Sequence, residues 1–160
     1  MRPNLHPINN KGDQENKVKV FGAIGTCLTE PVYMYGDNVQ ADEFIKFLRL
    51  VKSKVKVGYH KPILLYDGAP GHTANKVKKV LNELFTPLLN VPHSSNFNSI
   101  ETLWSVAKTY FYKIHLANKG EEVDYEGMKN RVTQALEMVS PKAHEGILKA
   151  NRAYIRKMLV

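Results

Sequence analysis

Apolar and polar positions along the chain alternate in short runs first and fall into helical stripes later. Val18 to Leu28 alternates before merging into an apolar run, which predicts a strand. Val32-Tyr33-Met34-Tyr35 predicts a second strand, and Thr29-Glu30-Pro31 leaves a connection short enough for a hairpin. From Gln40 to about Val55, apolar residues at Ala41, Phe44, Ile45, Leu48 and Val51 form the stripe of an amphipathic helix ended by Gly58. Ile63-Leu64-Leu65 is too short, and too closely flanked by Pro and Gly, to be a helix, so it predicts a buried strand. A helix over about Thr73–Phe85 carries Val77, Val80, Leu81 and Leu84 on one side, and Pro87-Leu88-Leu89-Asn90-Val91 predicts another short strand. Beyond the small-residue loop His93–Phe97 only helices follow. One starts near Asn98 with Ile100, Leu103, Trp104, Ala107, Phe111 and Ile114 at helical spacing; the others span Tyr125–Val139 and Lys142–Met158, with Asp124 and Ser140-Pro141 in capping positions. Strands, then strands alternating with helices, then helices alone predict an α/β domain with a helical C-terminal end.

Composition narrows this picture. At 160 residues and 43% hydrophobic content the chain suits one domain with a real core, expected over residues 17–160. Residues 1–16, with Pro3, Pro7, Gly12 and several Asn, read as a loose arm. No apolar run approaches membrane-spanning length, no signal peptide opens the chain, and the single Cys27 excludes an intrachain disulfide and a cysteine-based zinc site. Cys27 reads as a buried structural thiol. An intracellular protein without a membrane partner is expected, nuclear if the source is eukaryotic.

The net charge of +8 sits in one place. Residues 46–79 hold nine Lys/Arg against Asp67 alone, a stretch that accounts for the whole excess. Clustered positive charge is the footprint of a polyanion, and lysine over arginine suits phosphate contact better than base reading. Lys52, Lys56, Lys76 and Lys79 are the expected nucleic-acid contacts; a solvated lysine-rich helix face is the simpler alternative.

Asp67 and Glu101 are the candidate chemistry. Asp67 ends a strand, where open α/β sheets present groups to ligands, although Asp before Gly68 is also ordinary turn chemistry. Glu101 lies in the first turn of a helix, beside its apolar stripe, where it can face a cleft. It can equally close a capping box with Asn98. His72 follows the turn after Asp67, placed either to orient a phosphate or Asp67 itself or to serve structure alone.

Asp67-Gly68-Ala69-Pro70-Gly71-His72 resembles the D-N-A-x-x-H motif at the second catalytic aspartate of mariner-like and related insertion-sequence transposases. His93-Ser94-Ser95-Asn96-Phe97-Asn98-Ser99-Ile100-Glu101-Thr102-Leu103-Trp104 resembles the same family's Y-S-P-D-L-N-P-I-E-x-x-W, which carries its third acidic residue. Val20–Ile24 looks like the family's preceding strand, and Lys108 falls where a lysine usually follows the Trp. Gly68, His93, Ser95, Asn96 and Ser99 depart from the pattern and leave both carboxylates in place. The resemblance covers roughly Val18 to Lys113.

It implies a ribonuclease-H-like, retroviral-integrase-type mixed sheet with flanking helices. It also implies DNA as substrate and an acidic triad holding two Mg²⁺ or Mn²⁺ ions for phosphodiester cleavage and strand transfer. Asp67 and Glu101 are the implied metal ligands, with His72 beside them and Lys108 an added DNA contact. The triad's first aspartate has no counterpart, since nothing in residues 1–16 reads as an apolar strand with a carboxylate, and Asp37 and Asp42 sit where capping suffices. The chain is therefore expected to begin one strand late and to act weakly or not at all by itself. Unpaired strand edges would invite a homo-oligomer or a related transposase chain. A non-catalytic nucleic-acid-binding or assembly module is the alternative.

Overall fold

The computed structural model describes residues 17–37, 40–90 and 98–158. The proposed arm at 1–16, Val91 of the last expected strand and the His93–Phe97 part of the second motif lie outside the described residues.

Two strands open the fold, β1 (Lys19–Ala23) and β2 (Val32–Gly36), paired antiparallel from Lys19 opposite Gly36 to Ala23 opposite Val32. The hairpin reading holds. The first strand is shorter than its apolar run, because the chain turns at Gly25–Leu28, where Leu28 N–H donates to Gly25 O at 3.1 Å. Leu28 then keeps only an isolated antiparallel bridge to Val55. Helix α1 (Ala41–Ser53) follows, then β3 (Ile63–Tyr66), the short α2 (Pro70–Thr73), α3 (Asn75–Leu84) and β4 (Thr86–Leu89). The single helix expected over Thr73–Phe85 is interrupted: Ala74 is extended at φ −58, ψ 144 and serves as N-cap of α3. β3 and β4 pair parallel, Ile63 opposite Thr86 through Tyr66 opposite Leu89. Among the described residues the strands thus form two separate two-stranded sheets, one antiparallel and one parallel.

What joins the two sheets is α1. Strand alternation sends Phe21 and Ala23 of β1, with Val32 and Met34 of β2, onto one side, where they meet Phe44, Phe47, Leu48 and Val51 of α1. Leu64 and Tyr66 of β3 pack against the same cluster, which α3 completes with the fully buried Val77 and Leu81. Cys27 is half-buried at its edge rather than fully buried. Lys56 fastens the far end of α1 to the hairpin: its backbone N–H donates to Cys27 O at 2.9 Å and its Nζ to Thr26 O at 3.1 Å.

The opposite face of the hairpin carries a second core. Helices α4 (Ser99–Ala117), α5 (Tyr125–Glu137) and α6 (Pro141–Met158) build it from Leu103, Ala107, Leu136, Val139 and Ile147. Val20, Ile24 and Tyr33 pack against it from the strands. Asp124 caps α5 by accepting from Gly127 N–H at 2.8 Å, and Ser140 Oγ accepts from Ala143 N–H at 3.1 Å at the start of α6. Buried Arg131 ties α5 to the end of α4, with Nη2 on Glu121 at 2.8 Å and Nη1 on His115 Nδ1 at 3.1 Å.

Gly22 sets how closely α4 lies on the hairpin. A Cβ there would come within 2.6 Å of the Trp104 ring, so only glycine lets the indole approach the strand this closely. Tyr33, opposite Gly22, packs on the same indole at 6.1 Å between centroids, and burial pushes its hydroxyl pKa up to about 12.

Two stability predictions follow from this packing. Gly22→Ala should cost about 1–3 kcal/mol by overpacking against Trp104, read by urea unfolding followed through the fluorescence of this sole tryptophan. His144, 4% exposed in α6, has its imidazole pKa lowered by burial and then by the Lys56 ammonium. Below about pH 6.5 the unfolded chain takes up a proton that the folded imidazole resists, so stability is full above that pH and falls beneath it. The urea midpoint should drop between pH 7.5 and 5.5, and His144→Phe should flatten that drop.

Candidate active site

Asp67 stands one residue beyond β3, where the chain leaves the sheet. Part of the turn reading is visible, since Ala69 N–H donates to Asp67 Oδ1 at 3.4 Å. The stronger contact comes from the other side of the turn. His72 Nδ1 is hydrogen-bonded to the same carboxylate oxygen, and with Asp67 ionised that nitrogen is the donor.

The imidazole is itself fixed. Its ring stacks on Phe44 of α1 with centroids 3.8 Å apart and planes 25° apart, and Nε2 is buried without a hydrogen-bond partner among the described residues. A ring clamped against an aromatic and bonded to a carboxylate holds that carboxylate in one rotamer. Asp67 keeps its side chain 62% exposed, so its second oxygen remains open to a ligand.

Glu101 reaches the same place from the other core. Asn98 caps α4 by accepting from Ile100 N–H at 3.3 Å. The reciprocal half of a capping box does not form: among the described residues the Glu101 side chain has no hydrogen bond or ion pair, and it is exposed. It lines one cavity of about 240 Å³ together with Asp67, His72 and Asn98. Two carboxylates 34 positions apart in sequence therefore face a common space, one delivered by a strand end and one by a helix start.

The lysines do not converge there. Lys52 Nζ donates to His60 O, Lys56 to Thr26 O, and Lys76 pairs with Asp42 at 2.6 Å. Lys79 and Lys108 are exposed on α3 and α4. None of the five lines the cavity. Lys19 does line it and was passed over in the sequence; Phe44 and Asn98, read there as stripe and cap, line it as well. Phe44 was legible only as part of the apolar stripe, and nothing in that stripe marks which aromatic will meet His72.

The family model described as DDE superfamily endonuclease matches residues 3–124. The chain belongs to the DDE superfamily endonucleases. Among curated proteins no match is found.

Solved structures agree on the fold of this DDE domain. The chain is similar to the catalytic core domain of BIV integrase, at 16% identity and TM-score 0.55, covering 88% of this chain and 91% of that one. It is also similar to a chain of the simian T-cell lymphotropic virus intasome in complex with PP2A regulatory subunit B56 gamma. There the identity is 13% and the TM-score 0.53, over 76% of this chain and 46% of that one, so this chain spans about half the length of that relative. The fold is the ribonuclease-H-like, integrase-type arrangement of strands in both directions flanked by helices.

Asp67 and Glu101 suit a hard divalent ion in kind, as oxygen donors able to share it with a substrate phosphate. In number they fall short of a closed site: among the described residues no group of three or more His, Cys, Asp or Glu is arranged to hold a metal.

The clamp on His72 can be separated from its contact with Asp67. His72→Phe retains a ring on Phe44 and should change stability by no more than about 1.5 kcal/mol, whereas Phe44→Ala should cost about 3–5 kcal/mol. Urea unfolding of both variants decides. A His72→Phe variant as unstable as Phe44→Ala would make the imidazole–carboxylate contact a prop of the fold rather than a device for aiming Asp67.

Proposed function

We propose that this DDE domain is derived from a mariner-like or insertion-sequence transposase and acts on DNA, cleaving and joining phosphodiesters with Mg²⁺ or Mn²⁺. The observation that carries the reading is the meeting of Asp67 and Glu101 in one cavity of a chain whose family is that of DDE endonucleases. The metal, when bound, supplies Lewis acidity and a more acidic attacking water. The chain's own residues do the rest. Asp67 and Glu101 are the ligands; His72, acting through Asp67, keeps its open oxygen directed at the cavity. Exposed Lys79 and Lys108 offer phosphate contacts outside the cavity.

A second reading, a nucleic-acid-binding module without chemistry, is favoured by the absence of a third metal-binding group among the described residues. The two differ in what they require. Purified chain with Mn²⁺ and supercoiled plasmid should give nicking that is lost in both Asp67→Asn and Glu101→Gln. DNA binding that survives both substitutions, weakens in Lys79→Ala and Lys108→Ala and falls steeply with salt, without any nicking, would overturn the catalytic reading in favour of the binding module.

A further inference from the structure

Helix α6 lies beyond residues 3–124, the part of the chain that the DDE family model matches, and contributes nothing to the lining of the carboxylate cavity. Its inward side is taken up by the second core, where Ile147 belongs to the buried cluster and Ala143 packs against it, with His144 buried as well. Its outward side is basic. Lys142, Lys149, Arg152, Arg156 and Lys157 are all exposed, and Glu145 is the one carboxylate of the helix, so five charges less one leave +4. At 3.6 residues per turn, Lys142, Lys149, Arg152 and Arg156 fall within about 80° of arc, in a stripe about 21 Å long.

These charges are uncommitted. Among the described residues none of the five basic side chains has a hydrogen bond or an ion pair. Elsewhere the cations are tied down: Lys46, Lys76, Lys129 and Arg131 pair with carboxylates, and Lys52 and Lys56 donate to backbone carbonyls. Within the stripe Arg152 and Arg156 stand four residues apart, and Lys149 and Arg152 three, so neighbours repel one another. An anionic partner relieves that repulsion.

From this we propose that the outward stripe of α6 is a docking surface for the phosphate backbone of a DNA duplex, separate from the carboxylate cavity. The choice of DNA among polyanions rests on the functional reading above; the rest follows from what the stripe has and lacks. A membrane surface takes a helix by its apolar face, and α6 has that face in the core. A folded acidic protein needs an apolar or aromatic anchor at the centre of the contact. The exposed residues beside the stripe are Gly146, Ala150 and Ala153, which offer none. The exposed Tyr154 is turned about 160° from Arg156. A duplex asks only for cations, since it carries one charge per about 1.7 Å of axis and its backbone is gripped without regard to sequence.

Fluorescence anisotropy of a labelled duplex of arbitrary sequence, in EDTA and without Mn²⁺, reads docking apart from chemistry. A chain that never nicks still tests the stripe, and nicking that persists when the stripe is removed leaves the catalytic reading standing. The triple variant Lys149→Gln, Arg152→Gln, Arg156→Gln should lose at least about tenfold in affinity. Its plot of log affinity against log salt should flatten by about 2–3 units, because each lost phosphate contact removes about 0.9. The control Lys46→Gln, Arg49→Gln, Lys54→Gln removes the same three charges from exposed positions, taking +8 to +5. It should change affinity by less than about threefold and keep the slope. Ala153→Glu, a substitution that suits a helix, should by itself weaken binding about threefold or more. Equal losses in the two triples would reduce the effect to overall charge and overturn the proposal, as would a stripe variant that binds like the parent. Stripe-dependent binding to phosphatidylserine vesicles, with duplex binding unchanged, would overturn it in favour of a membrane surface.

Discussion

The packing of α1 across two sheets is the interaction on which the rest of the structure depends. No strand hydrogen bonds link the hairpin to β3–β4 among the described residues, so cohesion between them is apolar contact alone. Leu48, Val77, Leu81 and Phe85 are essentially inaccessible to water at that seam. Burying such side chains stabilises by about 1.5–3 kcal/mol each, without fixing register as a hydrogen-bonded ladder would. The relative placement of the two sheets therefore rests on side-chain shape. Phe44 belongs to this packing on one side and meets the His72 ring on the other, so the fold's central contact is also the site's support.

Glu101 depends on a different contact. The second core sets α4 on the hairpin through Trp104 and the bare backbone of Gly22, and the helix start that carries Glu101 follows from that approach. The two carboxylates are thus held by two cores on opposite faces of β1. Anything that changes the separation of α1 and α4 changes the spacing of Asp67 and Glu101, although neither residue takes part in the packing.

Periodicity made the element order legible, because each helix buries one stripe and β1 and β2 alternate between two cores. Boundaries were less so. The break at Ala74 has no signal in a residue of high helix propensity, and the early end of β1 reflects a turn at Gly25 inside an apolar run. Asp67 and Glu101 could be picked out as candidates, with their alternatives open. The cap by Asn98 was readable from residue type, but the freedom of the Glu101 side chain was not, since capping and ligand roles share one pattern. The basic stretch was visible as charge. That Lys52, Lys56 and Lys76 bond within the chain was not, because a lysine's reach to a carbonyl or to Asp42 is set by tertiary approach.

The location of the site then has a physical sense. Strand ends present side chains to ligands, and among the described residues β3 is held by a neighbouring strand on one edge. His72 supplies locally part of what the sheet does not: a bond from Nδ1 and a stack on Phe44 restrict Asp67 without a neighbouring strand. Glu101 has no such device among the described residues, where its side chain is exposed and without a partner. A carboxylate pair in which one member is clamped and the other is not is suited to attract a cation from solution. For demanding in-line chemistry the reacting groups must be held to within a fraction of an ångström.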